Sequence, residues 1–137
     1  MDITRENRKQ LDQILKSEPV KLAYVFGSII TKNVTKDSDV DIAVLLANNL
    51  TKEKRFQTRF GLAAKLARLF KKDVDVVVIN DTKSLFFKYV IIKEGRLIYQ
   101  TEETSRLDFE PTLLSLYFDF QPFLDSYNRN YIKTNLQ

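Results

Sequence analysis

The chain has 137 residues, of which 44% are hydrophobic and 29% are charged. This length and composition favour one soluble globular domain with a real hydrophobic core. The sequence contains no cysteine and no histidine. It therefore excludes disulfide frameworks, thiolate or imidazole metal sites and Ser-His-Asp catalysis. Any catalysis must use carboxylates, Lys, Tyr or a metal ion.

Charge and hydropathy narrow the partners and the location. The formal net charge of +4 is compatible with an anionic ligand, but it is weak support for nucleic-acid binding, so we expect no nucleic-acid partner. No stretch approaches the roughly 18 apolar residues of a membrane span, and the first ten residues do not resemble a signal peptide. We therefore expect a cytoplasmic protein with no membrane partner.

Apolar periodicity predicts the order helix, strand, strand, helix, strand, helix, strand. This order predicts an α+β fold, in which helices pack on a mixed β-sheet. The predicted elements are a helix from Thr4 to Ser17, strands Leu22–Phe26 and Asp39–Leu46 joined through a short helix Ile29–Lys32, a helix Thr51–Lys72, a strand Val74–Ile79, a helix from Asn80 or Asp81 to about Glu94, and a strand Arg96–Tyr99.

The helix Thr51–Lys72 is the clearest of these elements. Its apolar residues recur at three- and four-residue spacing, and Lys and Arg fill the other face. Gly61 inside this helix costs about 1 kcal/mol relative to alanine, so we expect a close helix–sheet contact there. The residues of the predicted apolar stripe are Phe56, Phe60, Ala63, Ala64, Ala67 and Phe70.

The tail, from Thr104 onward, is predicted to be helical and broken by Pro111 and Pro122. Residues 99–137 carry eight of the sixteen Phe and Tyr residues. These aromatics either complete the core or form a surface for a partner or a second copy, and the sequence leaves both open. We expect a single domain over residues 1–137, with a core of about 20–100 and a helical tail of about 103–135.

Residues 23–46 contain the pattern with the clearest chemistry. Asp39 and Asp41 lie two apart at the start of a strand, so their side chains are expected on one face. Paired carboxylates repel each other unless a cation lies between them, and oxygen ligands at this spacing suit Mg²⁺. Gly27 and Ser28 directly follow the preceding strand, where glycine lets a ligand approach the backbone and the following N–H groups can bind phosphate.

Gly27-Ser28, ten further residues and Asp39-x-Asp41 resemble the signature of the DNA polymerase beta-like nucleotidyltransferase superfamily. The short chain is similar to its minimal nucleotidyltransferase (MNT) branch, the antitoxins paired with HEPN-domain toxins. The resemblance implies that Asp39, Asp41 and Asp75 are catalytic and bind Mg²⁺. Asp73 competes with Asp75 for the third place, but it is predicted to be a turn residue.

The same resemblance implies a nucleoside triphosphate, ATP, as substrate. Gly27 and Ser28 would hold its phosphates, and Lys32 is placed to reach one of them. It further implies an antitoxin of a type VII-like pair, which transfers AMP to a tyrosine hydroxyl of the HEPN toxin. Larger relatives carry an added helical acceptor domain that this chain lacks.

Two alternatives remain from the sequence. The chain could neutralise its partner by binding alone, or it could transfer a nucleotide to a small molecule. A homo-oligomer or hetero-oligomer through the aromatic C-terminal tail is compatible with any of these functions.

Overall fold

A mixed four-stranded sheet forms the centre of the computed structural model, which describes residues 7–26, 39–101 and 106–121. Its strands are β1 (Val20–Phe26), β2 (Val40–Leu46), β3 (Val74–Val78) and β4 (Arg96–Gln100). The spatial order is β3-β2-β1-β4. Strand β1 is antiparallel to β2 and β4, whereas β3 is parallel to β2. The predicted α+β fold with a mixed sheet is confirmed.

Helices cover both faces of this sheet. Helices α1 (Arg8–Lys16) and α2 (Lys52–Phe70) pack on one face, and α3 (Leu85–Glu94) and α4 (residues 106–121) pack on the other. A 3₁₀ turn, Ile79–Asp81, follows β3. The predicted helix Ile29–Lys32 and the predicted cap Thr4 lie outside the described residues. Among the described residues, no helix is long and apolar enough to cross a membrane.

The alternation of side chains along β2 divides the core into two layers. Val40, Ile42 and Val44 are buried in the cluster that contains Leu62 of α2. Ala43 belongs to the opposite cluster, beneath α3 and α4. Because successive residues of a strand point to opposite faces, odd-numbered positions of β2 face α3 and α4.

The predicted apolar stripe of α2 is wrong at Phe56, Phe60 and Ala64, which are exposed. The buried residues of this helix are Thr58, Leu62, Leu66 and Phe70. Phe56 and Phe60 are both 59% exposed. The row through Phe56 and Phe60 and the row through Leu62 and Leu66 both satisfy helical spacing. The leucine row lies over the sheet, which ends at its edge strand β3.

The start of α3 also differs from the prediction. The helix begins at Leu85, and its cap is Ser84, whose hydroxyl accepts a hydrogen bond from the Phe87 N–H at 3.1 Å. Asn80 instead binds the end of β2. Its amide accepts from the Leu46 N–H at 2.8 Å and donates to the Leu46 carbonyl at 3.0 Å.

Helix α4 continues through Pro111, contrary to the predicted break, while Pro122 lies outside the described residues. Proline removes the N–H that would bond to the carbonyl four residues earlier. That carbonyl belongs to Leu107, which is 64% exposed, so water can replace the missing donor.

The aromatic residues of α4 are divided between the core and the surface. Tyr117 is buried and stacks on Tyr89 of α3, with ring centroids 4.0 Å apart. Phe109 packs against the buried cluster beneath α3 and α4. Phe118 and Phe120 are exposed. Tyr117 and Phe109 therefore complete the core, and the surface for a partner or a second copy stays a prediction for the exposed Phe118 and Phe120.

The two described glycines have opposite surroundings. A Cβ at Gly61 would meet nothing within 4 Å, so the expected close contact with the sheet is wrong. A Cβ at Gly95 would collide with the Ile91 carbonyl oxygen and lie 3.3 Å from the Val25 carbonyl oxygen. Gly95 is therefore required for the close approach of α3 to β1.

We expect Gly61→Ala to raise the free energy of unfolding by about 1 kcal/mol, because alanine is the better helix former and the added methyl has room. The melting temperature should rise by about 3–5 °C. Thermal unfolding followed by circular dichroism measures it. Gly95→Ala is the matched control and should lower the melting temperature; stabilisation by both substitutions would contradict this account.

Candidate active site

Two aspartates lie side by side on the central parallel strand pair. Asp41 of β2 and Asp75 of β3 are direct register partners. Neighbouring strands are about 4.8 Å apart, and paired residues point their side chains to the same face. The structure therefore brings together two of the three predicted carboxylates, on the face covered by α3 and α4.

Packing on the opposite face fixes this arrangement. Val40 and Ile42 flank Asp41, and both are at most 1% exposed. Val76, which follows Asp75, is likewise buried. A one-residue slip of either strand would turn that strand's carboxylate toward the core and expose its aliphatic side chains, so the register is strongly specified.

The third predicted carboxylate, Asp39, precedes β2 by one residue and is exposed. It is close enough to act electrostatically on Asp41. Burial raises the pKa of Asp41 above its ordinary value of 3.8, and the negative charges of Asp75 and then Asp39 raise it further. The three aspartates thus form an electrostatically coupled acidic site.

Asp75 lies at the solvent-exposed side of this site. Its side chain is 62% exposed, and one of its oxygens lies 4.0 Å from a guanidinium nitrogen of Arg59 on α2. Exposed ion pairs of this kind contribute about 0–1 kcal/mol. Asp75 therefore has a nearby cation that a metal ion or a ligand can replace at low cost.

The donors fit Mg²⁺ as a metal bound together with a nucleotide. Within the described ranges, no group of three or more acidic side chains is arranged to hold a metal ion by itself. Mg²⁺, however, commonly binds through one or two carboxylates and completes its shell with substrate phosphates and water. The site offers carboxylate oxygens as ligands, and two like charges surround Asp41. Both features suit Mg²⁺ that is bound together with phosphates.

The predicted phosphate-binding residues, Gly27, Ser28 and Lys32, lie outside the described residues. Phe26, the last described residue before them, ends β1 and is the register partner of Asp41. Phe26 also packs edge-on against Phe87 of α3, with centroids 6.0 Å apart.

A hydrogen-bond network that runs from the core to the surface on the same face was not predicted. The Tyr24 hydroxyl donates to a carboxylate oxygen of Glu110 in α4, and the same oxygen accepts from Arg106 Nε at 2.9 Å. Burial, and then this bond to Glu110, raise the pKa of Tyr24, which keeps its hydroxyl protonated. The network anchors α4 to β1.

Neither Arg59 nor this network gave a clear signal in the sequence. Arg59 is one of several basic residues on α2, which composition alone assigns to a solvated face. Tyr24 and Glu110 are separated by 86 positions. Only an alignment of related sequences showing paired changes at these positions would have suggested their contact.

Known proteins resemble this chain in sequence and in fold. It is 29% identical over 117 residues to the protein adenylyltransferase MntA of Shewanella oneidensis, covering 84% of this chain and 80% of that protein. A chain of a toxin–antitoxin complex solved with AMP-PNP matches with a TM-score of 0.69 and 26% identity, covering 92% of this chain and 98% of that chain.

A second similar structure is the complex of the tri-AMPylated Shewanella oneidensis HEPN toxin with an MNT antitoxin. The match has a TM-score of 0.66 and 25% identity, covering 94% of this chain and 98% of that chain. Residues 9–104, which include β1 to β4 and all three aspartates, match the family described as polymerase beta, nucleotidyltransferase. The chain belongs to the polymerase beta nucleotidyltransferase family.

Proposed function

We propose that this protein is a Mg²⁺-dependent protein adenylyltransferase of the cytoplasm. It acts as an antitoxin by transferring AMP from ATP to a tyrosine hydroxyl of a HEPN-domain toxin. The observation that carries the proposal is the register pair of Asp41 and Asp75 in a chain of this family. The similar MntA is named a protein adenylyltransferase, and a similar complex contains an AMPylated HEPN toxin.

The three aspartates have distinct roles in this proposal. Asp39 and Asp41 would hold the metal ions, with Asp75 as a further ligand, and the bound ions would supply positive charge that offsets the charge of the triphosphate. Asp75 accepts the proton of the attacking hydroxyl, since it is the exposed carboxylate beside Asp41. The hydroxyl oxygen forms a bond to the α-phosphorus, the bond from that phosphorus to the β-phosphate oxygen breaks, and pyrophosphate leaves.

The strand order distinguishes the β1 side of the site from its β3 side. Gly27 and Ser28 follow β1, Asp39 and Asp41 belong to β2, and Asp75 belongs to β3, next to β2 and at the edge of the sheet. Gly27, Ser28 and Lys32 would hold the phosphates. Asp75 is 62% exposed on the edge strand β3, so the acceptor hydroxyl approaches from the β3 side.

We expect Asp75→Asn to lower the rate of AMP transfer by about 10²–10⁴-fold, the usual contribution of a general base. The assay uses ATP labelled at the α-phosphate, Mg²⁺ and a purified HEPN-domain partner. Label on the partner is measured against time. Asp39→Asn/Asp41→Asn should abolish transfer, because it removes the proposed metal ligands.

Two further variants make this test specific. Asp12→Asn removes a carboxylate on α1, on the opposite face of the sheet, and should transfer AMP at the wild-type rate. Asp73→Asn tests the competing third aspartate. No labelled product from the wild type, together with a stable complex that blocks the partner, would instead identify an antitoxin that acts by binding. Transfer to small hydroxylated molecules without a protein partner would identify the third alternative.

The raised pKa of Asp41 predicts a pH-dependent effect on stability. A carboxyl whose folded pKa is raised destabilises the folded state when it is ionised. The destabilisation is absent below the unfolded pKa and complete above the folded pKa. Asp41→Asn should therefore raise the melting temperature of the metal-free protein at pH 7, and the gain should shrink as the pH approaches the ordinary value of 3.8.

Thermal unfolding between pH 4 and pH 8 in the presence of EDTA measures this difference. Mg²⁺ with a non-hydrolysable ATP analogue should raise the melting temperature of the wild type and have less effect on the variant. Asp12→Asn provides the comparison for loss of a carboxylate elsewhere. A melting temperature for Asp41→Asn below that of the wild type at pH 7 would refute the electrostatic account.

A further inference from the structure

Strand β3 offers a backbone edge directly beside the acidic site. It is the last strand on its side of the sheet, and no strand within residues 7–26, 39–101 and 106–121 pairs with its outer edge. An edge strand can pair with an extended segment of another chain, whose main-chain hydrogen bonds then provide affinity. Because β3 also carries Asp75, a segment bound there passes the candidate base.

A groove of about 430 Å³ runs between this edge and the first half of α2. We call it the β3 groove. Val77 and Val78 of β3 line one side, and the α2 side chains on the other are Lys52, Arg55, Phe56 and Arg59.

Phe56 lines the β3 groove, and Phe60 packs beside it, so that the two rings form an apolar ledge on α2. Phe56 and Phe60 have ring centroids 4.7 Å apart, and each is 59% exposed. Phe56, Arg59 and Phe60 occupy neighbouring positions on one side of the helix, and Arg59 reaches Asp75. The ledge therefore lies on the side of α2 that faces the acidic site.

The opposite side of the carboxylates is closed by packed side chains. Phe26, beside Asp41, packs against Phe87 of α3. Tyr24 binds Glu110 of α4. Exposure increases outward, from the half-buried Asp41 to Asp75, whose side chain is 62% exposed. A large acceptor thus has its open approach along β3.

The basic side chains of the β3 groove differ in their ion pairs. Arg55 is paired with Asp81 at 2.8 Å. Lys52 is exposed, and Arg59 has a weak contact with Asp75 at 4.0 Å. Once Asp75 binds a metal ion, Arg59 loses part of its partner's charge. Lys52 and Arg59 then favour an acceptor segment that carries carboxylates near its hydroxyl residue.

We propose that the acceptor protein binds the β3 groove through an extended segment that pairs with the outer edge of β3. The segment places its hydroxyl side chain at Asp75 and an apolar side chain against Phe56 and Phe60. This proposal rests on the proposed function, since it describes how the acceptor of that reaction is held.

The first test replaces the two phenyl rings of the ledge by serine. Phe56→Ser/Phe60→Ser changes only exposed rings, so the fold should persist. We expect the KM for the acceptor protein to rise by at least about tenfold, as for loss of an aromatic anchor at an interface. The KM for ATP and kcat at saturating acceptor should change less than twofold, because both rings lie outside the transfer chemistry.

Phe118→Ser/Phe120→Ser is the matched control, since these rings are comparably exposed on α4. It should leave the KM for the acceptor unchanged. A raised KM in this variant, with an unchanged KM in the ledge variant, would overturn the proposal and assign docking to α4. A homodimer that dissociates on loss of the ledge, with no change in KM, would overturn it in favour of a second copy.

The second test uses the unaltered protein. Hydrogen exchange of the β3 amides should slow at least several-fold when the acceptor binds in the presence of a non-hydrolysable ATP analogue. Strand β4, the other edge of the sheet, is the internal comparison. Unchanged exchange in β3 within a formed complex would overturn the proposed docking even if AMP transfer is observed. Slowed exchange without any transfer would instead refute the proposed function alone.

Discussion

The parallel, in-register pairing of β2 with β3 is the constraint on which the rest of the site depends. It places Asp41 against Asp75, and the same alternation buries Val40, Ile42 and Val76 beneath α2. A shift of either strand by one residue would move that strand's carboxylate into an apolar layer, where unpaired charge is very costly. The hydrophobic core therefore specifies the geometry of the acidic pair, with no separate structural element devoted to it.

The two sides of this pair are built differently. On the β1 side, Gly95 lets α3 approach the backbone of β1, and the bond between Tyr24 and Glu110 holds α4 on the sheet. On the β3 side, the sheet ends and α2 extends past it with exposed rings. The site is therefore closed by packed side chains on the β1 side and open on the β3 side. This difference suits a small substrate on the β1 side and a large substrate on the β3 side.

The sequence predicted the parts of this structure that local patterns encode. The Asp-Val-Asp alternation placed Asp41 on one face of β2, and the Val-Asp-Val pattern placed Asp75 on its neighbour. The orientation of α2 was not predictable in this way, because rows through Phe56 and through Leu62 both satisfy helical spacing. The choice depends on where the sheet ends, which is a non-local property.

Other features of the structure were equally beyond local patterns. Asn80 is an acceptable helix cap in sequence, yet its amide pairs with both backbone groups of Leu46, 34 positions away. The partner of Tyr24 is more distant still. Contacts of this kind are set by the packed fold, so the predicted site included the strand aspartates and missed the residues that arrange their surroundings.

The electrostatics of the acidic pair link stability to ligand binding. Burial and two like charges raise the pKa of Asp41, so its ionised form in the metal-free protein is a local destabilisation that the core must offset. A bound cation relieves it, and part of that relief appears as affinity for the cation. Arg59 supplies only a weak, exposed counter-charge to Asp75. A buried, well-paired arginine would stabilise the metal-free state more, and it would compete with the cation for the same carboxylate.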